Sequence, residues 1–211
     1  ILDHLSDVNL VLTEHARRYL LAEGLRPETI IKTGSHMPEV LEHYKGQILE
    51  SKILEDLQLN ERDFFVVSAH REENVDYEES LNDIIETLNA LATKYSKPVI
   101  LSTHPRTLNR LGSIDTLRLD KNVKIIKPLG FIDYVKLQMT AMCVISDSGT
   151  ITEEAAILGF PAVNIRNTHE RPEGMDAGTL IMAGLKQENV LRAIEITLAQ
   201  STNKKHKHSQ V

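Results

Sequence analysis

Apolar positions along this chain follow two rhythms. Short apolar runs at residues 64–69, 99–103, 123–126, 143–146 and 162–165 have the length of buried strands. Between them, apolar residues return every three or four positions. The clearest such stretch spans 77–95, where Leu81, Ile84, Ile85, Leu88, Leu91 and Ala92 are separated by acids and amides, as on a helix with one buried face. Shorter helices are expected at 106–111, 132–141, 150–158 and 187–199. Strands alternating with helices predict an α/β fold, a parallel sheet with right-handed crossovers covered on both faces. In such a sheet the loops at the carboxyl ends of the strands line the binding crevice. Ala69-His70-Arg71, Thr103-His104-Pro105-Arg106, Pro128-Leu129-Gly130, Asp147-Ser148-Gly149 and Arg166-Asn167-Thr168 all stand at such ends.

Ahead of this pattern, residues 8–13, 14–22 and 30–33 read as strand, helix and strand. The unit has too few apolar residues to be a domain by itself, so residues 1–34 are expected to be the end of a domain whose remainder is missing. Residues 36–59 read as a polar, helical connection, and 35–200 as the main domain. The last residues, 201–211, contain Lys204, Lys205, His206, Lys207 and His208 without an apolar pattern, and are expected to be a disordered tail.

With 211 residues and 41% hydrophobic content, the chain is long enough for one large core. No apolar run approaches the roughly 18 residues that span a bilayer, and the start lacks the basic opening of a signal peptide. These features read as a cytoplasmic protein away from membranes, and a chain that opens inside a helix reads as a fragment. A net charge of −6 argues against a nucleic-acid surface, so a phosphate would be met by local donors. The lone Cys143 has no disulfide partner and sits in an apolar run, where burial suits it. Histidines and acids do not fall at metal-ligand spacings, so no metal is expected.

The densest chemistry lies at 146–159, where an apolar strand enters the small-residue turn Ser146-Asp147-Ser148-Gly149-Thr150 and a helix follows. Backbone N–H groups at Ser148, Gly149 and Thr150 lack intrahelical carbonyl partners, and the helix dipole adds positive potential there, as a phosphate requires. Glu154 lies one turn further on, where its carboxylate can accept from hydroxyls such as those of a ribose. An ordinary capped helix has the same look, and the two readings stand side by side. In Ser68-Ala69-His70-Arg71-Glu72-Glu73-Asn74, imidazole and guanidinium suit a diphosphate, while a loop of internal ion pairs is the alternative. His104 is either a ligand contact or a turn residue before proline. Arg166, Arg171 and Glu173 belong either to an active site or to a solvated salt-bridge network. Ser148 lacks the G-x-S-x-G frame of a nucleophile elbow.

Taken together, S-A-H-R-E-E-N at 68–74, S-D-S-G-T-I-T-E-E-A at 146–155 and H-E-R-P-E at 169–173 resemble the non-hydrolysing UDP-N-acetylglucosamine 2-epimerases. The opening Asp3-His4-Leu5-Ser6-Asp7, followed by Thr13, is similar to the family's segment after its first-domain catalytic loop. The resemblance implies one half of a GT-B-type fold, in which two Rossmann-like domains face each other. It implies that His70 is catalytic and that Arg71, Ser148, Gly149 and Thr150 hold the diphosphate of UDP. Glu154 would hold the ribose and Tyr134 would lie against uracil. Arg171 and Glu173 would be sugar-side or structural, and His104 would match a histidine of a regulatory UDP-sugar site. The implied reaction eliminates UDP across C1 and C2 and adds it back with C2 inverted, without a cofactor, in a homodimer when full length. Two departures, Thr150 for a glycine and His169 before E-R-P-E, suit a subgroup acting on another UDP-2-acetamido sugar, such as the 6-deoxy-L-talo form used for capsule and O-antigen precursors. A UDP-sugar glycosyltransferase and a non-catalytic nucleotide-binding fragment are the rival readings.

Overall fold

The computed structural model describes residues 1–103, 107, 119–167 and 180–208. The chain divides into two units, Ile1–His43 and Tyr44–Val211.

The first unit opens with α1 (Leu2–Leu5), β1 (Asn9–Val11), α2 (Glu14–Ala22) and β2 (Ile30–Lys32). Thr13 starts α2 by accepting the Ala16 N–H at 3.1 Å, which satisfies one donor that the helix cannot. The two strands pair in parallel, and Val11, Leu20 and Ile30 form a small core.

Residues 36–59, expected to be helical throughout, form α3 (Met37–Glu50) and α4 (Ile53–Leu57) with a break between. Ser51 explains the break. Its hydroxyl accepts from the Ile53 N–H at 3.3 Å and donates to Asp133 at 2.6 Å, so the side chain competes with helical backbone bonding.

The second unit continues with β3 (Phe65–Ser68), α5 (Glu72–Val75), α6 (Glu78–Tyr95), β4 (Val99–Ser102) and β5 (Val123–Ile126). After these come α7 (Phe131–Thr140), β6 (Cys143–Ser146), α8 (Ile151–Leu158), β7 (Ala162–Asn164), β8 (Ile181–Met182) and α9 (Gln187–His208). Six strands pair in parallel in the order β5-β4-β3-β6-β7-β8. The two-residue β8 is absent from the sequence reading, because two residues carry no periodicity. It exists by pairing with Val163 and Asn164.

Alternation along β3 divides the core. Phe65 and Val67 join Leu81, Leu88 and Leu91 of α6 and Val190 and Ile194 of α9 on one face. Phe64 and Val66 join Ile53, Leu137 and Ile151 on the other. Cys143 is buried, and desolvation pushes its thiol up to about 12, as fits a packing residue.

The last helix, α9, runs to His208, within the stretch expected as a tail from 201. Gln200, Lys204, Lys205 and Lys207 are good helix formers, so a helix already packed by Val190 and Ile194 can propagate at little cost. Among the described residues no helix is long and apolar enough to cross a membrane.

Candidate functional site

The strand order places the site. From β3 the chain moves outward through β4 and β5, then crosses back to lay β6 on the other side of β3. Carboxyl ends of β3 and β6 therefore lie side by side, with Ser68 opposite Ser146, and their loops diverge to open a crevice. His70 and Arg71 leave one strand there, and Asp147, Ser148 and Gly149 leave the other.

Asp147 ties the two loops together. Its N–H donates to the Ser68 carbonyl at 3.2 Å, extending the ladder, and its side chain is fully buried beneath the neighbouring loop. Oδ2 accepts from the backbone N–H groups of His70 and Arg71, both at 2.9 Å, and from Asn74 Nδ2 at 3.0 Å. His70 Nδ1 stands 2.9 Å from Oδ1, a buried oxygen with no other hydrogen-bonding atom among the described residues. Arg71 Nε donates to the Asp147 carbonyl at 2.9 Å. A buried carboxylate without such donors would cost several kcal/mol. Burial pulls the Asp147 carboxyl up, but the His70 ring and the two backbone donors outweigh it and hold the group below the usual carboxylate value. Reciprocally, the Asp147 contact raises His70 above its ordinary value despite burial and the nearby Arg71.

The turn after Asp147 is less open than its sequence implies. The Ser148 N–H donates to Ser146 Oγ at 3.0 Å, and the Thr150 N–H reaches Ser148 Oγ at 3.4 Å. Ser148 and Thr150 share a hydroxyl contact of 2.9 Å, so the serine and threonine side chains stand at the mouth of α8. No side chain caps that helix.

Glu154 is nearly buried one turn along α8, and its Oε2 accepts from Gln138 Nε2 of α7 at 2.7 Å. Tyr134 packs against the core on the α7 side of the sheet. Desolvation pushes its phenol up to about 12, only partly offset by a hydrogen bond with Ser68, and the charges of Glu154 and Asp147 act in the same direction as burial.

His70, Arg71, Ser148, Gly149 and Thr150 are accordingly gathered at one crevice, with Glu154 and Tyr134 at its α7–α8 side. His104, Arg171 and Glu173 lie outside the described residues, as does most of the helix expected at 106–111. Asp147 and Asn74 stand in the sequence motifs without an assigned role, and Gln138 is absent from the sequence reading. An acid between two serines at a strand end was the available signal for Asp147, whereas Gln138 reads only as another polar helix position. Arg166, just past β7, is also nearly buried and reaches Glu73 at 3.6 Å. Among the described residues no group of His, Cys, Asp and Glu is placed to hold a metal ion.

The family profile described as UDP-N-acetylglucosamine 2-epimerase matches residues 1–211. The chain belongs to that family. A curated relative named UDP-N-acetylglucosamine 2-epimerase, from Methanocaldococcus jannaschii, is 33% identical over 97% of this chain and 57% of its own length. Among solved structures, the UDP-N-acetylglucosamine 2-epimerase of Rickettsia bellii is 50% identical with a TM-score of 0.85, covering 93% of this chain and 52% of that one. The M. jannaschii UDP-GlcNAc 2-epimerase, solved in complex with UDP-GlcNAc and UDP, is 34% identical with a TM-score of 0.85, covering 93% of this chain and 55% of that one. This epimerase-family chain therefore spans about half the length of the relatives it matches.

Proposed function

We propose that this chain supplies the UDP-binding domain of an enzyme that inverts C2 of a UDP-2-acetamido sugar of the UDP-N-acetylglucosamine type. Residues 1–34 would belong to a second domain. The observation that carries the reading is the convergence of His70, Arg71 and the Ser148 turn on one crevice, through Asp147. In this reading His70, Arg71, Ser148, Gly149 and Thr150 hold the diphosphate, Glu154 accepts from the ribose, and Tyr134 lies beside the base. A single buried cysteine suits the reducing cytoplasm in which we place the protein.

Breaking the C1–O bond moves negative charge onto the β-phosphate. Donors already aimed at that oxygen need no reorganisation as the charge grows, and each can be worth about 2.7–4 kcal/mol in the transition state. The groups that remove and return the C2 proton belong, on this reading, to the facing domain.

Incubating the full-length protein with UDP-N-acetylglucosamine in deuterated water tests the reading without any acceptor. Deuterium should enter at C2 as the epimer forms. A protein that transfers sugar only when an acceptor is added, or that binds UDP without exchange, would instead be a glycosyltransferase or a binding module.

A further inference from the structure

Oδ1 of Asp147 presents an acceptor to His70 Nδ1 at 2.9 Å, in a carboxylate with no solvent exposure. The other oxygen is committed to two backbone N–H groups and Asn74, which fixes the plane of the carboxylate. The backbone of His70 is held by the same carboxylate as its ring, so ring and loop move together. Its side chain is 40% exposed, so the edge away from Asp147 faces the crevice.

We propose that Asp147 is a positioning residue for His70: it accepts a hydrogen bond from Nδ1–H, turns Nε2 toward the crevice, and makes His70 meet an anionic phosphate as an imidazolium. A neutral imidazole carries one N–H. With that N–H on Nδ1 and directed at Asp147, Nε2 has only a lone pair, which repels phosphate oxygens. Only the doubly protonated ring donates from both edges, and the buried negative charge of Asp147 is what sustains it. Among the described residues, Asp147, from the loop after β6, and Arg71, from its own loop, are charged groups acting on the ring. Arg71 opposes the imidazolium but is turned to the Asp147 carbonyl through Nε. The phosphate half of this proposal rests on the UDP-binding reading above; the assignment of the Nδ1 proton does not.

Ring nitrogen shifts of His70, followed by NMR as pH rises and identified by their loss in His70→Asn, test the first half without ligand. The neutral ring should carry its proton on Nδ1; a neutral ring protonated on Nε2 would overturn the proposal. In Asp147→Asn the amide that replaces Oδ1 can donate to Nδ1, so the neutral ring should switch to the Nε2–H form. UDP affinity, measured by calorimetry from about pH 7 to about pH 9, tests the second half, because the terminal phosphate of UDP, with a second pKa of about 6, is already ionised there. Wild-type affinity should fall about 10- to 100-fold as His70 loses its charge, the worth of a whole charged hydrogen bond, because its neutral ring offers phosphate no proton at Nε2. Asp147→Asn should bind more weakly near pH 7 and lose that pH dependence, because its neutral ring still donates from Nε2. Weaker binding with the wild-type pH dependence intact would leave Asp147 a structural residue only. Should Asp147→Asn fail to fold, the wild-type tautomer and its pH dependence decide the matter. Absence of any UDP binding by the wild type would sink the functional reading, while the tautomer would still decide the pairing.

Discussion

At the residue scale, the crevice rests on one buried acid. Donors around Asp147 favour its ionised form, and Asp147 favours the protonated form of His70, so each supports the other's charge. The pH consequences carry opposite signs. Asp147, depressed in the folded state, contributes stability in full above about 3.8, lost as pH falls through its folded value; His70, raised, contributes in full below about 6.5, lost as pH rises through its folded value. Urea midpoints from about pH 3 to about pH 9 should therefore fall on both sides of a plateau. His70→Ala should flatten the decline above 6.5, and an unchanged decline there would dissociate it from this pair. Glu154 allows a separate test. Gln138 holds its carboxylate in place, so Glu154→Gln should weaken UDP by about 1.5–3 kcal/mol, the value of a charged hydrogen bond, while leaving inorganic pyrophosphate nearly unaffected. Equal losses for both ligands, read by calorimetry, would assign Glu154 to the fold instead.

At the scale of elements, α6 packs its apolar stripe on the face of the sheet that Phe65 and Val67 of β3 also line. Leu81, Ile84, Ile85, Leu88, Leu91 and Ala92 are all buried against the sheet, the stripe that the spacing predicts. Leu88 and Ile84 also line a small void with Val67, Thr87 and Leu185. A neighbourhood that already leaves a void has little tendency to close around a further one. Leu88→Ala should accordingly cost about 3–5 kcal/mol in urea unfolding, toward the upper end for buried leucines. A loss below about 1 kcal/mol would mean that α6 can collapse onto the sheet.

Across the whole molecule, the two units differ sharply in what holds them. The first has two three-residue strands and a core of Val11, Leu20 and Ile30, with Leu10, Tyr19 and Ile31 exposed. The second has a six-stranded sheet whose four inner strands, β4, β3, β6 and β7, are buried almost throughout. Two-stranded sheets are marginal alone. In the 211-residue chain, hydrogen exchange should be faster by orders of magnitude in β1 and β2 than in β3 and β6. Equal protection would show that the small unit unfolds only with the rest.

Apolar runs and helical spacing were enough to read five of the six strands of the main sheet and the stripe of α6, because burial on one or both faces writes a period into consecutive residues. Motif order was enough to identify the family, because Ser148, Glu154 and His70 stand in recognisable local strings. Contacts between distant segments leave no such period. Asp147 is 77 positions from His70, and Glu154 is held by a glutamine 16 positions away. Nor did local sequence reveal β8, which exists only because β7 offers it an edge. Ser51 breaks a helix through a bond to Asp133, 82 positions distant. Local strings determined which groups could meet a phosphate; the reversal of strand order at β3 and β6 decided that they share one crevice, and a buried carboxylate between those strands decided how His70 is held.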